Sequence, residues 1–259
     1  MAKMICASVF HNKRIAKDIF ELKMYSSDLK NIGFVPGQFV NIKIPDSPDL
    51  MLLRPMSINS YDALNGFVTC VYQIAGEGTR RLSYIHPKDN IDILLPLGNG
   101  FNIKQSYKKI LLIGGGVGVS PLRAVAETKK ASFDAVLGFK SKDYACQLDE
   151  FSNLTDNLII ATEDGSMGVK GFVTDALNTV KETEYDAVFI CGPRPMAGAL
   201  KRYFSASKLK EIFISMEERM GCGTGGCAVC ACKIKRDGHE TYLKVCKDGP
   251  VFSLSEVVL

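Results

Sequence analysis

The sequence has no apolar run of about 18 residues, so no segment of it could span a bilayer as a helix. Its start, Met1-Ala2-Lys3-Met4-Ile5-Cys6, lacks the extended apolar stretch and cleavage site of a signal peptide. Internal repeats and low-complexity tracts are absent too. Neither sign of charge dominates: 32 basic residues face 28 acidic ones, a net of +4. Such a balance gives no case for a nucleic-acid or membrane-surface protein. Histidine is sparse, and His11, His86 and His239 stand isolated. Each reads as a surface or packed residue, so no acid–base catalytic residue is predicted. Together these absences predict a cytoplasmic protein.

The 259 residues are 46% hydrophobic and 23% charged, a globular composition. At roughly 150 residues per domain they suggest two domains of ordinary size. Cysteine carries the strongest signal. There are 9, and five lie after residue 220. In a reducing compartment a dense cysteine cluster holds a metal more often than disulfides. Cys6, Cys70, Cys146 and Cys191 are scattered singly and read as small buried apolar residues.

The first hundred or so residues read as short strands parted by turns. Phe39-Val40-Asn41-Ile42-Lys43-Ile44 alternates apolar and polar. Gly66–Tyr72 is rich in β-formers, and Asn90-Ile91-Asp92-Ile93 alternates again. Pro36-Gly37, Asp46-Ser47-Pro48 and Asn65-Gly66 supply turns. Many strands with little helix predict a small antiparallel barrel. A short helix is expected after Gly78, over Thr79–Ile85. Near residue 105 the pattern changes. Buried strands are predicted at Lys109–Ile113, Ala135–Phe139, Leu158–Ala161, Ala187–Cys191 and Glu211–Ile214, with helical stretches between most of them. That alternation predicts a doubly wound parallel sheet. The expected division is 1–103, 104–215 and 216–259. At about 40 residues the last segment is too small to fold well on apolar burial alone, so a metal is the expected staple.

Cys222, Cys227, Cys230 and Cys246 are spaced C-x4-C-x2-C-x15-C. The x4, x2 pair is the plant-type [2Fe–2S] arrangement. The intervening glycines let a short loop aim N–H groups at anionic sulfur. Structural zinc usually takes paired C-x2-C knuckles, and only one such pair is present. Cys232, two residues past Cys230, is surplus to the spacing and reads as a packed thiol on the strand Ala231–Ile234.

Gly114-Gly115-Gly116-Val117-Gly118 follows a strand and opens a helix, a context that brings a pyrophosphate to a helix N-terminus. It departs from a strict G-x-G-x-x-G because Val119 follows Gly118. Cys191-Gly192-Pro193 ends a later strand at the same expected sheet edge, and Glu163 and Asp164 end another. Acids there would hydrogen-bond ribose hydroxyls and repel a 2′-phosphate, which favours NAD over NADP. A solvated acidic turn is the alternative.

Arg54-Pro55-Met56-Ser57 with Gly76-Glu77-Gly78-Thr79, then the glycine loop with Cys191-Gly192-Pro193, resemble the ferredoxin reductase-like flavoproteins. With the cysteine loop added, the whole chain resembles the electron-transfer subunits of the NAD-dependent, type B dihydroorotate dehydrogenases. Ser215–Gly223 and Val245–Phe252 are its most specific stretches. The resemblance implies an antiparallel β-barrel FAD domain, a doubly wound NAD domain and a small [2Fe–2S] segment. It implies that Arg54 lies near the FAD pyrophosphate, where a guanidinium fork matches phosphate oxygens, and Ser57 near the isoalloxazine. Pro55 and Met56 belong to the same motif. Val71, Tyr72 and Gln73 would line the flavin, and Gly78 and Thr79 would offer donors to the pyrophosphate. Cys222, Cys227, Cys230 and Cys246 would hold the cluster. In that family dihydroorotate, a pyrimidine precursor, is oxidised on a separate FMN-containing catalytic subunit. Electrons then pass through [2Fe–2S] and FAD to NAD, the co-substrate. The assembly would hold two copies of each chain.

A dihydroorotate-oxidising barrel alone would need about 250 residues, and the three segments already use the chain. The cysteine-rich segment is therefore expected near the interface with that partner. A related NAD(P)H–ferredoxin oxidoreductase or electron-bifurcating subunit shares the layout, but such relatives can carry aspartate where Cys222 stands. A zinc-stapled regulatory module on a degenerate flavoprotein scaffold is the reading from another class.

Overall fold

The structure is a computed structural model and describes residues 2–259. Six antiparallel strands close a barrel: β1 (Lys3–Ala16), β2 (Ile19–Tyr25), β3 (Phe39–Ile42), β4 (Arg54–Asp62), β5 (Phe67–Gln73) and β6 (Asn90–Leu97). Their order around it is β1-β2-β5-β4-β3-β6. Closure leaves no free sheet edge. Period-2 alternation fills the interior: Ile5, Ala7 and Val9 of β1 point in, beside Val40 and Ile42 of β3 and Met56 and Ile58 of β4. Cys6 falls between inward neighbours on β1 and is exposed, which corrects the expectation of a buried thiol. Cys70, Cys146 and Cys191 are buried as expected. The long hairpin β1–β2 has no counterpart in the sequence reading, because Met4, Cys6 and Phe10 stand exposed on its outer face and hide the alternation of Ile5, Ala7 and Val9. A short helix, α1 (Glu77–Leu82), follows β5, starting slightly earlier than expected.

The second region is a sheet of β7 (Lys109–Gly115), β8 (Ser132–Phe139), β9 (Asn157–Thr162), β10 (Val169–Lys170), β11 (Ala187–Cys191) and β12 (Ile212–Ser215), all mutually parallel. Every predicted buried strand is present. α2 (Val119–Glu127) and α3 (Leu148–Leu154) pack one face; α4 (Val173–Leu177) and α5 (Arg194–Tyr203) pack the other. The sheet is doubly wound. From β7 the chain winds outward through β8 to β10, then returns to place β11 and β12 on the opposite side of β7. The topological switch therefore falls between β7 and β11.

The C-terminal segment forms a hairpin, β13 (Ala231–Arg236) and β14 (His239–Lys244), and a strand, β15 (Val251–Ser253). The Asp237-Gly238 turn, φ 51° and 82°, joins the hairpin in the primed geometry that matches strand twist. β15 pairs antiparallel with β12, Ser215 opposite Val251. The segment thus adds a seventh strand to the parallel sheet. It also shares that sheet's core: Cys230, Cys232, Ile234, Val245 and Phe252 pack with Ile190, Ile214 and the barrel residues Phe39 and Leu97. A small segment that borrows a neighbour's core does not depend on a metal alone for burial. Asn99, at the end of the barrel, clasps it through Nδ2 bonds to the carbonyls of Lys247 and Asp248 at 2.8 and 3.2 Å.

Candidate cofactor sites

Arg54 opens β4, and its guanidinium lies across the first turn of α1. A Cβ on Gly78 would stand 2.2 Å from Arg54 Nε, so only glycine admits the side chain there. Arg54 Nη1 donates to the Leu52 carbonyl. The acids of the neighbourhood, Asp49 and Glu77, pair with Arg81 at 2.7 and 2.8 Å instead. Among the described residues no carboxylate pairs with Arg54, and a guanidinium of that kind over a helix start can bind phosphate oxygens. The Thr79 hydroxyl accepts from the N–H groups of Ala75 and Gly76 at 2.9 and 3.1 Å and donates to the Gly76 carbonyl at 3.0 Å. It braces the loop rather than projecting a spare donor.

The rest of the expected flavin set diverges. Met56 points into the barrel, Pro55 is exposed and Ser57 is half-buried on the outer side. Tyr72 faces the barrel core, where it stacks on Phe20 and its hydroxyl bonds Asn12 Oδ1 at 3.0 Å. Burial pushes its phenol up. Val71 points the other way, into the core shared with the parallel sheet, and Gln73 is exposed at the strand end.

At the switch point two loops meet. Cys191 is register-paired with Gly114, and a Cβ on Gly118 would lie 2.6 Å from the Cys191 carbonyl oxygen. Gly115 and Gly192 both lie against the end of the Met196 side chain, which would have to move to admit a Cβ at either. Gly116 differs: its φ is +54° and nothing lies within 4 Å of a notional Cβ. The loop turns there in open space at the carboxyl edge of the sheet, where dinucleotides bind in such folds. Val119, in place of a third glycine, is buried and packs on Gly114. Pro193 caps α5. Burial drives the Cys191 thiol far up, so it stays neutral. Glu163 and Asp164 follow β9, two strands away from β7 at the same edge. Asp164 Oδ1 accepts from the Ser166 hydroxyl at 2.6 Å and backbone at 3.0 Å, which lowers its carboxyl and commits it to its own turn.

The four spaced cysteines come together as two pairs. Cys222 N–H points at Cys227 Sγ and Cys227 N–H at Cys222 Sγ, each over 3.4 Å. Cys246 N–H points at Cys230 Sγ, also over 3.4 Å. The Thr224 side chain, then the N–H groups of Cys227 and Thr224, draw the Cys222 thiol down to about 5. Burial, reinforced by Cys230, pushes Cys246 up to about 12. Among the described residues no three metal-ligating side chains converge on a point as one ion would require. Two thiol pairs instead match a two-iron centre with two sulfur ligands per iron. Lys244 Nζ bonds the Gly225 carbonyl at 2.7 Å and sets a cation beside the loop. Cys232 is buried on β13 opposite Leu243.

Sequence reasoning missed the polar junction between barrel and sheet. Asn59 Nδ2 donates to Gln147 Oε1 at 3.0 Å and to the Ser120 carbonyl at 3.3 Å. Arg123 Nη1 donates back to the Asn59 carbonyl at 3.2 Å. These partners lie far apart in the chain, and no local pattern joins them.

Residues 217–258 match the iron–sulfur cluster binding domain of dihydroorotate dehydrogenase B. Over its full length the chain is 42% identical to the dihydroorotate dehydrogenase B (NAD(+)) electron transfer subunit of Geobacillus sp. (strain WCH70), covering all of both sequences. It is 38% identical to the protein of that name from Shouchella clausii (strain KSM-K16), with 97% of each covered. Among solved structures, an NADH-dependent reduced ferredoxin-NADP oxidoreductase, described for flavin-based electron bifurcation, superposes with a TM-score of 0.84 at 30% identity, covering 97% of this chain and 89% of that one. The FAD/NAD-binding domain of a Vibrio cholerae nitric oxide dioxygenase shares the fold at 16% identity and a TM-score of 0.71, covering 81% of this chain and 96% of that one. With barrel, switch-point loops and paired thiols in one chain, and identity running end to end, the protein belongs to the family of dihydroorotate dehydrogenase B (NAD(+)) electron transfer subunits.

Proposed function

We propose that this chain relays electrons from a dihydroorotate-oxidising, FMN-containing catalytic subunit to NAD, using one [2Fe–2S] cluster and one FAD, in an assembly of two copies of each chain. The observation that carries the reading is the seating of two thiol pairs against a barrel that bears an unpaired guanidinium. When bound, the cluster handles electrons singly, and the flavin converts them to a hydride exchanged with the nicotinamide.

The residues divide the work. Cys222 with Cys227, and Cys230 with Cys246, would each hold one iron, and backbone N–H groups of the loop stabilise the sulfur charge. Arg54 would bind the FAD pyrophosphate beside Gly78, with Thr79 holding that loop in shape and Ser57 nearest the flavin ring. Val71 lies between barrel and sheet, suited to cover the flavin. Gly114, Gly115, Gly116 and Gly118 with Cys191, Gly192 and Pro193 would admit the NAD backbone at the switch point. Glu163 and Asp164 would repel a 2′-phosphate from the far side of that edge. The functional division is 1–103, 104–215 and 216–259. No helix among the described residues is long and apolar enough to cross a membrane. All nine cysteines are unpaired by disulfides, which supports a cytoplasmic setting.

The test is an anaerobic visible spectrum of the purified chain, with iron, sulfide, zinc and flavin assayed on the same sample. Equal iron and sulfide, with FAD bleached by NADH, is the expected outcome. Co-purification with a dihydroorotate-oxidising chain then identifies the partner. Zinc without flavin would overturn the reading. A lone chain reducing NAD with dihydroorotate would overturn the need for a partner.

A further inference from the structure

The strand β3 is buried on both faces. Val40 and Ile42 fill the barrel, whereas Phe39 and Asn41 look outward and are covered by the cysteine segment. Asn41 is the polar member of that outer pair and is 1% exposed. Its Nδ2 makes a long hydrogen bond, 3.5 Å, to the carbonyl of Cys222. The next residue, Gly223, turns with φ +72°, and a Cβ there would lie 2.0 Å from the same Nδ2. The amide thus occupies the space that any side chain at position 223 would need. On its other side, Asn41 is register-paired with Pro55, beside Arg54 on β4. Its Oδ1 is buried with no hydrogen-bond partner among the described residues. A buried, unmatched acceptor destabilises a fold, and an apolar residue of similar size avoids that cost. Packing alone would therefore favour leucine here.

We propose that Asn41 is a positioning residue for electron passage between cluster and flavin: its amide fixes the Cys222–Gly223 turn against the barrel strand next to the flavin-binding motif. The proposal rests on the cofactor reading above. The hydrogen bond reaches a carbonyl of the cluster loop, so the amide sets both where that loop sits and the dipole environment of its first sulfur. Among the described residues the barrel surface makes no second hydrogen bond to Cys222, and replacing Asn41 leaves the loop held by its thiol bonds and by Lys244 Nζ on the Gly225 carbonyl, none of which reaches the barrel.

The experiment compares the full-length, cofactor-loaded wild-type chain with Asn41→Leu and, separately, Gly223→Ala. NADH is mixed anaerobically with each. Flavin bleaching reports the hydride step, and the low-temperature EPR signal of the reduced cluster reports the next one. In N41L, flavin bleaching is expected to stay at the wild-type rate and cluster reduction to slow by about tenfold or more, as small misplacements of reacting groups do. The EPR g values are expected to shift, and thermal stability to be equal or higher. G223A displaces the amide without altering the barrel residue and is expected to shift the g values as well. Wild-type cluster reduction and an unchanged EPR spectrum in N41L would overturn the proposal. A wild-type chain without iron, or with flavin that NADH cannot bleach, would overturn the cofactor reading instead.

Discussion

Asn59 of the barrel donates a 3.0 Å hydrogen bond to Gln147, a residue held at φ +60° at the start of α3. Asn59 is the extra residue of a bulge: Ile58 faces Cys70 and Ser60 faces Thr69, with nothing opposite position 59. A bulge re-aims a side chain, and here it turns the amide out of the barrel toward the parallel-sheet region. The same side chain reaches the Ser120 carbonyl, one residue into α2. The strand that opens with Arg54 and the helix that follows the glycine loop are thereby locked together. Asn59→Ala leaves these buried partners unpaired. It is expected to lower unfolding stability by about 1–3 kcal/mol, read by urea denaturation, and to slow flavin reduction by NADH at saturating NADH.

Glu211 ties the sheet to the connector after the barrel. Its carboxylate accepts from Lys104 Nζ and from the Tyr107 hydroxyl, both at 2.7 Å, and these two bonds hold its pKa below the usual 4.5. A carboxyl whose folded value is depressed stabilises the fold above its unfolded value, and that contribution drains away as pH falls through the folded value. Because the pair is partly exposed, the effect is about 1 kcal/mol or less. Glu211→Gln should lower the Tm at pH 7 by a few degrees. The gap to wild type should close below about pH 4, measured by thermal melts across pH.

The barrel and the doubly wound sheet were legible because each rests on a local period: two along Phe39–Ile44, and unbroken apolar runs in the parallel strands. β1 escaped because Met4, Cys6 and Phe10 stand exposed on its outer face, alternating with the inward Ile5, Ala7 and Val9, so apolar residues on both faces blur the period. The cysteine spacing was legible because ligands on one loop are neighbours in sequence. What it could not show is the seating of that loop. Alternation puts Asn41 on the outer face, a position that reads as solvated. The structure buries it because a segment some 180 residues later covers that face, Asn41 and Cys222 being 181 apart. Asn59 and Gln147 are likewise 88 apart. Both depend on packing between regions, and no window of sequence contains both partners.

Gly118 stands where the two switch-point loops touch backbone to backbone. Its φ of −64° is ordinary, so alanine would suffer no dihedral strain. The obstacle is contact: the added Cβ meets the Cys191 carbonyl at 2.6 Å and Gly192 Cα at 2.8 Å, neither of which is a flexible side-chain end. Gly118→Ala must wedge β7 from β11 at the proposed nicotinamide site. The expected result is a rise in KM for NADH of about tenfold, equivalent to roughly 1.4 kcal/mol, with FAD content unchanged. Steady-state diaphorase assays and flavin quantitation on the same preparation check it.

Cys222 and Cys232 give the sharpest contrast within one segment. Cys222 is half-exposed, and its thiol is drawn down to about 5, first by the Thr224 side chain. It is ready to bind metal as thiolate, the form that ligates. Cys232 is 4% exposed, and burial first, then Glu218, pushes its thiol up to about 11. It packs with Ile234 and Val245 in the core that joins the segment to the parallel sheet. Cys222→Ser should therefore abolish the iron and sulfide content while leaving FAD bound in the barrel. Cys232→Ser should keep both and cost about 1–2 kcal/mol of stability through a hydroxyl buried in place of a thiol. Loss of iron from the Cys232 variant, with the fold intact by circular dichroism, would make Cys232 a ligand and break the two-pair assignment. Removing iron from the wild-type chain by chelation tests the same geometry from the other side. The segment shares its core with the sheet and contributes β15 to it, so apo protein should keep the β12–β15 pairing and lose hydrogen-exchange protection mainly in the 222–230 loop.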